Sequence, residues 1–420
     1  MTAARPPYDE VSISPVSFWA KTSAERDVSF KVLRDERPVS WQPPLEGALM
    51  EAEQEGFWAV TRHEDVVFVS KNPQLFCSGK GVITEEVPED LLEASQSFLA
   101  MDAPRHGALR RLVSVAFTPR QIAKISEKIR EQSVRIVDDL LTTTSGDFVT
   151  RVSKRLPMYS IYEMMGLPED KREEAAHHAD GVVSWADPDV AAGREPGEVL
   201  NESLVGLITI AFEEITTRRE NPTDDLMTNL VQAEVDGQTL TDEEIASFFV
   251  LLSVAGNDTT RNSISLGMKA FQDFPDQPKL LLADPERLLT PAVEEVIRYA
   301  TPVMTFRRTA VEDTELGGQQ IRKGDWVVTL FSSANRDERV FDNPQELDIT
   351  RTENLHVGFG GGGPHFCMGN QLAKTQLRFL FQELLTRAPG LVLGEPDYLV
   401  GNFVHAVKSM PYTLSTEGAR

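Results

Sequence analysis

Apolar positions recur with a helical period through most of the middle of this chain. From Arg110 to about Phe274 the periodicity predicts a predominantly helical region. Breaks are expected at Pro157, Pro168 and Pro222, because proline removes a backbone N–H and clashes with the preceding turn. Thr241-Asp242-Glu243-Glu244 has the spacing of a capping box and opens a helix that runs to about Phe274. At more than thirty residues that helix is long enough to cross an entire core. Strand patterns flank the region. Gly56–Thr61 reads as a strand followed by a helix near Glu64–Ser70, and Thr305–Leu316 and Gln319–Phe331 read as strands joined at Gly317-Gly318. A last helical pattern begins at Asn370 and reaches Leu385. No internal repeat or low-complexity linker marks a boundary, so residues 1–420 read as a single domain, mainly α with a smaller β portion. The β-rich parts fall at about 30–62, 303–350 and 390–416, and the helical parts at about 105–300 and 368–388.

Composition narrows the partners. With 65 acidic and 42 basic residues the net charge is −23, which argues against nucleic acid, whose phosphates need a basic footprint. The longest apolar run, Phe248 to Gly256, is too short to span a bilayer, and the N-terminus has no apolar signal region. Two cysteines make neither a disulfide framework nor a four-cysteine metal site. The expectation is a soluble cytoplasmic protein.

Two local oddities carry the chemistry. Cys367 ends a loop reading Phe359-Gly360-Gly361-Gly362-Gly363-Pro364-His365-Phe366-Cys367-Met368-Gly369. Glycines let the backbone approach something flat without Cβ clashes. The helix that follows aims its N–H groups at the sulfur, which favours thiolate. From the loop alone, Cys367 is either a buried structural thiol or a metal ligand or nucleophile. The second oddity lies inside the long helix, where Val254-Ala255-Gly256-Asn257-Asp258-Thr259-Thr260-Arg261-Asn262 gathers residues that weaken a helix. It reads as a solvated kink or as a functional site. Flanking Phe248–Leu252 and Ile264 favour burial, and a locally opened turn there could hold a ligand while an acid beside a hydroxyl relays protons.

With these two features, the chain resembles the cytochrome P-450 haem-thiolate monooxygenases. Four elements match in the family's order: Ala255-Gly256-Asn257-Asp258-Thr259-Thr260, Glu295-Val296-Ile297-Arg298, Leu347-Asp348-Ile349-Thr350-Arg351, and the loop ending His365-Phe366-Cys367-Met368-Gly369. The resemblance spans nearly the full chain. It implies haem b (iron protoporphyrin IX) between the long helix and the cysteine loop, with Cys367 as axial ligand of the iron and electron donor to it. His106, Arg110, Arg308 and His365 would meet the propionates, and Phe359, Gly361, Gly369 and Ala255 would lie against the cofactor. Thr259 and Asp258 stand where the family delivers protons, and Glu295, Arg298 and Arg351 where it keeps a structural ion-pair network. Two departures are visible: Phe359 lies one position further from Cys367 than in most of the family, and Gly107 replaces a common threonine.

The finer resemblance is to actinobacterial steroid side-chain hydroxylases. It rests on Val254–Ile264, on His356-Val357-Gly358-Phe359-Gly360 and on Asn402–Pro411. It implies cholesterol or cholest-4-en-3-one as substrate, in a channel lined by Val254, Val303, Phe306, Phe403, Val404 and a segment near Val82–Ala100. The same chemistry on a terpenoid or methyl-branched fatty acid is the alternative, and a haem-binding sensor or carrier without turnover is a third reading. Electrons would come from NAD(P)H through a separate ferredoxin and ferredoxin reductase, docking near Arg110, Arg111 and Arg378. Cys77 has no such setting and reads as an ordinary buried thiol.

Overall fold

The computed structural model describes residues 5–48, 54–86, 97–114, 117–185, 187–235 and 237–415. The central helix, Asp242–Asp273, starts at the expected capping box: the Thr241 side chain accepts from Glu244 N while the Glu244 side chain accepts from Thr241 N. Its long runs of buried residues explain its length, for it is enclosed by the helices Arg155–Met165, Glu169–Ser184, Pro196–Glu220, Pro285–Ala300 and Asn370–Arg387. Burial of apolar side chains on several faces, rather than helix propensity, holds it. Two glycines permit this approach. A Cβ on Gly267 would lie 2.6 Å from Val296 and 2.7 Å from Phe381, and one on Gly256 would lie 2.8 Å from Ile161.

The β portion is led by a five-stranded sheet. Strand Phe57–Val60 pairs antiparallel with Val39–Gln42 and parallel with Trp326–Leu330. The latter pairs antiparallel with Thr305–Ala310, and Phe76–Cys77 closes the edge. Strand alternation sends Arg307 and Arg308 to opposite faces. Arg307 lies over Trp326 at 3.9 Å and donates to the carbonyls of Gly81, Glu85 and Lys80. A second sheet joins Leu391–Leu393, Pro411–Leu414 and Ser145–Asp147. Asn262 of the central helix accepts from Val407 N at 2.9 Å and so fixes the C-terminal hairpin to the core.

Several expected boundaries move. Pro157 does not interrupt a helix: it sits in the first turn of Arg155–Met165, where its missing N–H would have had no helical partner. The break comes earlier, at the π-helical turn Val149–Ser153. Pro168 and Pro222 do fall at breaks. Each expected long strand is two short ones. Val311–Asp313 separates Thr305–Ala310 from Thr314–Leu316, and the Lys323-Gly324 turn separates Gln319–Ile321 from Trp326–Leu330. The Gly317-Gly318 hairpin forms as expected, both residues at positive φ (55° and 78°). Residues 30–36, assigned to the β-rich part, belong instead to the helix Ser23–Glu36, opened by a capping box at Thr22.

Candidate active site

Cys367 sits at the turn that feeds the helix Asn370–Arg387. Its N–H donates to the Phe359 carbonyl at 2.9 Å, and the Asn370 side chain holds the Cys367 carbonyl at 2.8 Å. The sulfur faces the amides of Gly369 and Asn370. Burial pushes its thiol up, while those amides, Arg110 and Lys374 pull the other way. Gly360 takes φ 100°, which turns the loop. The expectation for Gly361 changes. A Cβ there would meet Ser70 Oγ at 2.5 Å and the Val66 carbonyl at 3.0 Å, and Gly362 and Gly363 are likewise pressed against Lys71 and Ser70. Their lack of side chains serves packing against the helix His63–Lys71.

The four expected propionate partners lie together. The His106 and His365 rings stack at 4.1 Å, and Arg110 donates to the Phe366 carbonyl. Arg110 therefore points inward, away from the docking role expected of it, while Arg111 and Arg378 are exposed. Arg308 is buried and donates to its neighbour's carbonyl, Arg307 O, at 2.7 Å. Burial lowers its guanidinium to about 10, and burial together with Arg308, His106 and Arg110 drives His365 down to about 3. His106 Nε2 and His365 Nδ1 are enclosed without a partner. Asp102, the carboxylate that reaches Arg308, is engaged by the amides of Ser78 and Gly79 at 2.8 and 2.9 Å. This is a cationic cradle without a matching anion among the described residues. A ring series ties it to the central helix: Phe248 to Phe98 at 5.5 Å, and Phe98 to His106 at 5.9 Å.

On the central helix the expected opened turn is not seen. The helix is α throughout, and Thr259 Oγ1 donates to the Ala255 carbonyl at 2.9 Å, supporting the ladder from outside. The turn is nonetheless distinctive. Ala255 is exposed, and Val254, Gly256 and Thr259 are half-buried, on a helix otherwise almost wholly enclosed. Asp258 points the other way, into protein. It pairs with Arg261 at 2.8 Å, Arg261 with Asp180 at 2.7 Å, and Asp180 with Lys154 at 2.6 Å. Burial raises the Asp258 carboxyl to about 6 against the opposing pull of Arg261. Sequence reading missed Arg261, Asp180 and Lys154, whose only signal was the charge three residues after Asp258.

Glu295, Arg298 and Arg351 come together. Arg298 grips Glu295 with two hydrogen bonds of 2.7 and 2.8 Å, Arg351 Nε adds a third at 3.3 Å, and Arg298 also donates to the carbonyls of Asn335, Pro344 and Glu346. Asn354, not anticipated, donates to Glu295 at 2.9 Å. The apolar set also assembles. Val303 bridges Val404, Met304 N donates to the Phe403 carbonyl at 2.8 Å, and Phe306 meets Phe403 edge-on at 5.4 Å. Of the expected lining segment Val82–Ala100, residues 87–96 lie outside the described residues. Cys77 is half-buried on its edge strand, and burial pushes its thiol up.

Comparison with known proteins decides the family. A family model described as Cytochrome P450 matches residues 287–387. A Mycobacterium tuberculosis methyl-branched lipid omega-hydroxylase is 38% identical over 413 residues, 97% of this chain and 96% of that protein. The chain belongs to the cytochrome P450 family. A steroid C26-monooxygenase of Rhodococcus jostii is 38% identical over 92% of this P450 and 81% of its own length. A Mycobacterium marinum cytochrome P450 solved in complex with pseudoionone is 53% identical, covers 98% of this chain and 100% of that one, and superposes with a TM-score of 0.95. The fold is therefore the P450 fold, mainly α with small sheets, and the protein is a monooxygenase, which sets aside the reading of a haem carrier without turnover. Family membership implies a haem and electrons from a redox partner. The residues present fit such a group. The enclosed, unpartnered nitrogens of His106 and His365 and the buried Arg308 suit two added carboxylates, and Cys367 offers a sulfur already facing two amides. Among the described residues no helix is long and apolar enough to cross a membrane.

Proposed function

We propose that this P450 hydroxylates the terminal methyl of a methyl-branched aliphatic chain, with the side chain of a steroid such as cholest-4-en-3-one as the leading substrate. The relatives support that class: one is named for methyl-branched lipids and their ω end, the other for steroid C26. The relative solved with pseudoionone, an acyclic isoprenoid ketone, favours a second reading in which a shorter branched chain is the substrate. Both readings need the same apolar chemistry around Val303, Phe306, Phe403, Val404 and Val254.

In this reading Cys367 would supply the thiolate that holds haem b, and His106, Arg110, Arg308 and His365 would hold its propionates. The single observation that carries it is the cationic cradle beside Cys367 with no matching anion among the described residues. When bound, the haem supplies the oxygen-activating chemistry that puts one oxygen atom into a C–H bond. The chain's own task is proton supply and exclusion of water. Thr259 Oγ1, on the exposed turn with Ala255, presents a hydroxyl there, and turning away from the Ala255 carbonyl frees its proton for donation. Asp258 holds a proton on its carboxyl near pH 6, and the Arg261–Asp180–Lys154 series leads from it towards half-exposed groups from which protons are replenished. Phe359 and Gly369 shape the sulfur side. The Glu295–Arg298–Arg351 network holds the loops that carry this arrangement. Electrons come from NAD(P)H by way of a ferredoxin and its reductase, docked where Arg111 and Arg378 are exposed.

The purified protein should give the haem-thiolate Soret band in its reduced carbon monoxide spectrum; its absence ends the cysteine assignment. Cholest-4-en-3-one should then produce a low-to-high-spin shift, and pseudoionone or a methyl-branched fatty acid doing so in its place would move the assignment to the second reading.

A further inference from the structure

Away from the cysteine loop, buried N–H groups occur on the N-terminal helices Val16–Trp19 and Ser23–Glu36 and just after the helix Phe331–Ala334. Trp19, Arg26 and Arg336 are 5%, 4% and 4% exposed. Nε1 of Trp19, Nε and Nη2 of Arg26 and Nε of Arg336 are enclosed, and none has an acceptor among the described residues. The remaining N–H groups pin each guanidinium in place. Arg26 Nη1 donates to the carbonyls of Trp19 and Lys21 at 2.9 and 2.8 Å, and Arg336 Nη2 to that of Tyr299 at 3.0 Å. The next carbonyl, Ala300, pairs with His405 Nδ1 at 3.0 Å, and Tyr398 stacks on that ring at 5.2 Å.

The cationic groups share one neighbourhood. Burial and then Arg336 lower Arg26 to about 10, and burial with both arginines drives His405 to about 3. The described residues offer them little negative charge. Asp27, the carboxylate that reaches Arg336, is paired to Arg34 at 2.7 Å and bound by the Gln345 amide. An enclosed donor without a partner is destabilising, and more so when charged. Four donors cannot satisfy one another, and two guanidinium groups brought together repel. One water would accept two hydrogen bonds and bring no charge. What complements this set is a negative charge with several lone pairs.

We propose that Trp19, Arg26 and Arg336 form a binding site for a small anion, separate from the haem cradle. The occupant joins Trp19 and the helix Ser23–Glu36, through Arg26, to the stretch that follows Phe331–Ala334, through Arg336.

Crystals of the haem-loaded wild-type protein soaked in bromide test this directly. The expected result is an anomalous peak within hydrogen-bond distance of Arg26 Nε and Arg336 Nε; density there without anomalous signal would identify a water and overturn the proposal. In solution, bromide, acetate and phosphate would each be exchanged for bulky gluconate at constant ionic strength. At least one should raise the melting temperature saturably, as a ligand bound only to the folded state must. Arg26→Leu should abolish that rise while keeping the reduced carbon monoxide band, which separates this site from the haem assignment. A wild-type melting temperature indifferent to all three anions, or an unchanged rise in Arg26→Leu, refutes the site; should Arg26→Leu not fold, the bromide crystal decides.

Discussion

Asp258 is held between two opposed effects, and their balance sets its pH behaviour. Burial favours the protonated carboxyl, Arg261 at 2.8 Å favours the carboxylate, and burial wins, leaving the group near 6. An unfolded aspartate loses its proton near 3.9, roughly. Between those values the folded state holds more protons than the unfolded one, so Asp258 makes stability fall as pH rises from about 4 to about 6, with no further change above. Asp258→Asn should remove that fall, which paired pH-dependent denaturation curves would reveal; parallel curves would contradict it. Replacing Arg261 by Gln removes the cation, so the pH above which product yield per NAD(P)H declines should move upward, and a downward or absent shift would mean that Asp258 does not supply the proton. Thr259→Ala should leave the substrate-induced spectral shift intact while several-fold more reducing equivalents appear as peroxide. Unchanged coupling would remove Thr259 from the proton route.

At the scale of elements, Gly267 measures how closely the helices cross. Substitution by alanine gains roughly 1 kcal/mol of helix propensity, yet the added methyl falls 2.6 Å from Val296 and 2.7 Å from Phe381. Overpacking of this kind costs about 1–3 kcal/mol, so Gly267→Ala should be net destabilising in urea, and a second change, Val296→Ala, should recover part of the loss. A stabilised single variant would show that the helices can move apart freely. The central helix was legible because its capping box and its enclosed faces are both local signals in Thr241–Glu244 and in runs such as Phe248–Leu252. The division of each long β pattern was less so, since Val311–Asp313 keeps an apolar start and nothing local announces the bend. The glycines at 361–363 misled for a similar reason. Their neighbours are Ser70 and Lys71, almost 300 positions away in the chain, and a sequence read locally assigns such glycines to the nearest known chemistry. His106, Arg308 and His365 could be named only through the resemblance, because two histidines and an arginine far apart in sequence carry no sign that one cradle awaits them.

For the molecule as a whole, the ion-pair network around Glu295 joins distant stretches: Arg298, Arg351, Asn354 and the amide of Asp348 all converge on a carboxylate with no exposed surface. Taking one partner from such a network leaves the others buried and uncompensated, at a cost of about 3–5 kcal/mol. Glu295→Gln should therefore yield protein with little bound haem, read from the ratio of Soret to protein absorbance, and full haem content would show that the network is dispensable. The parallel pairing of Phe57 with Trp326 sets a different condition, one on biosynthesis. These strands are neighbours in the sheet but 269 positions apart, the difference between 326 and 57. At roughly 5–20 residues per second of translation, the first strand must wait about 15–50 s for its partner to leave the ribosome. During that interval Phe57-Trp58-Ala59-Val60 is an unpaired apolar edge, fully buried in the finished sheet and open to wrong partners until then. The yield of folded enzyme in a host cell should accordingly depend on chaperones acting while the nascent chain is still shorter than about 330 residues.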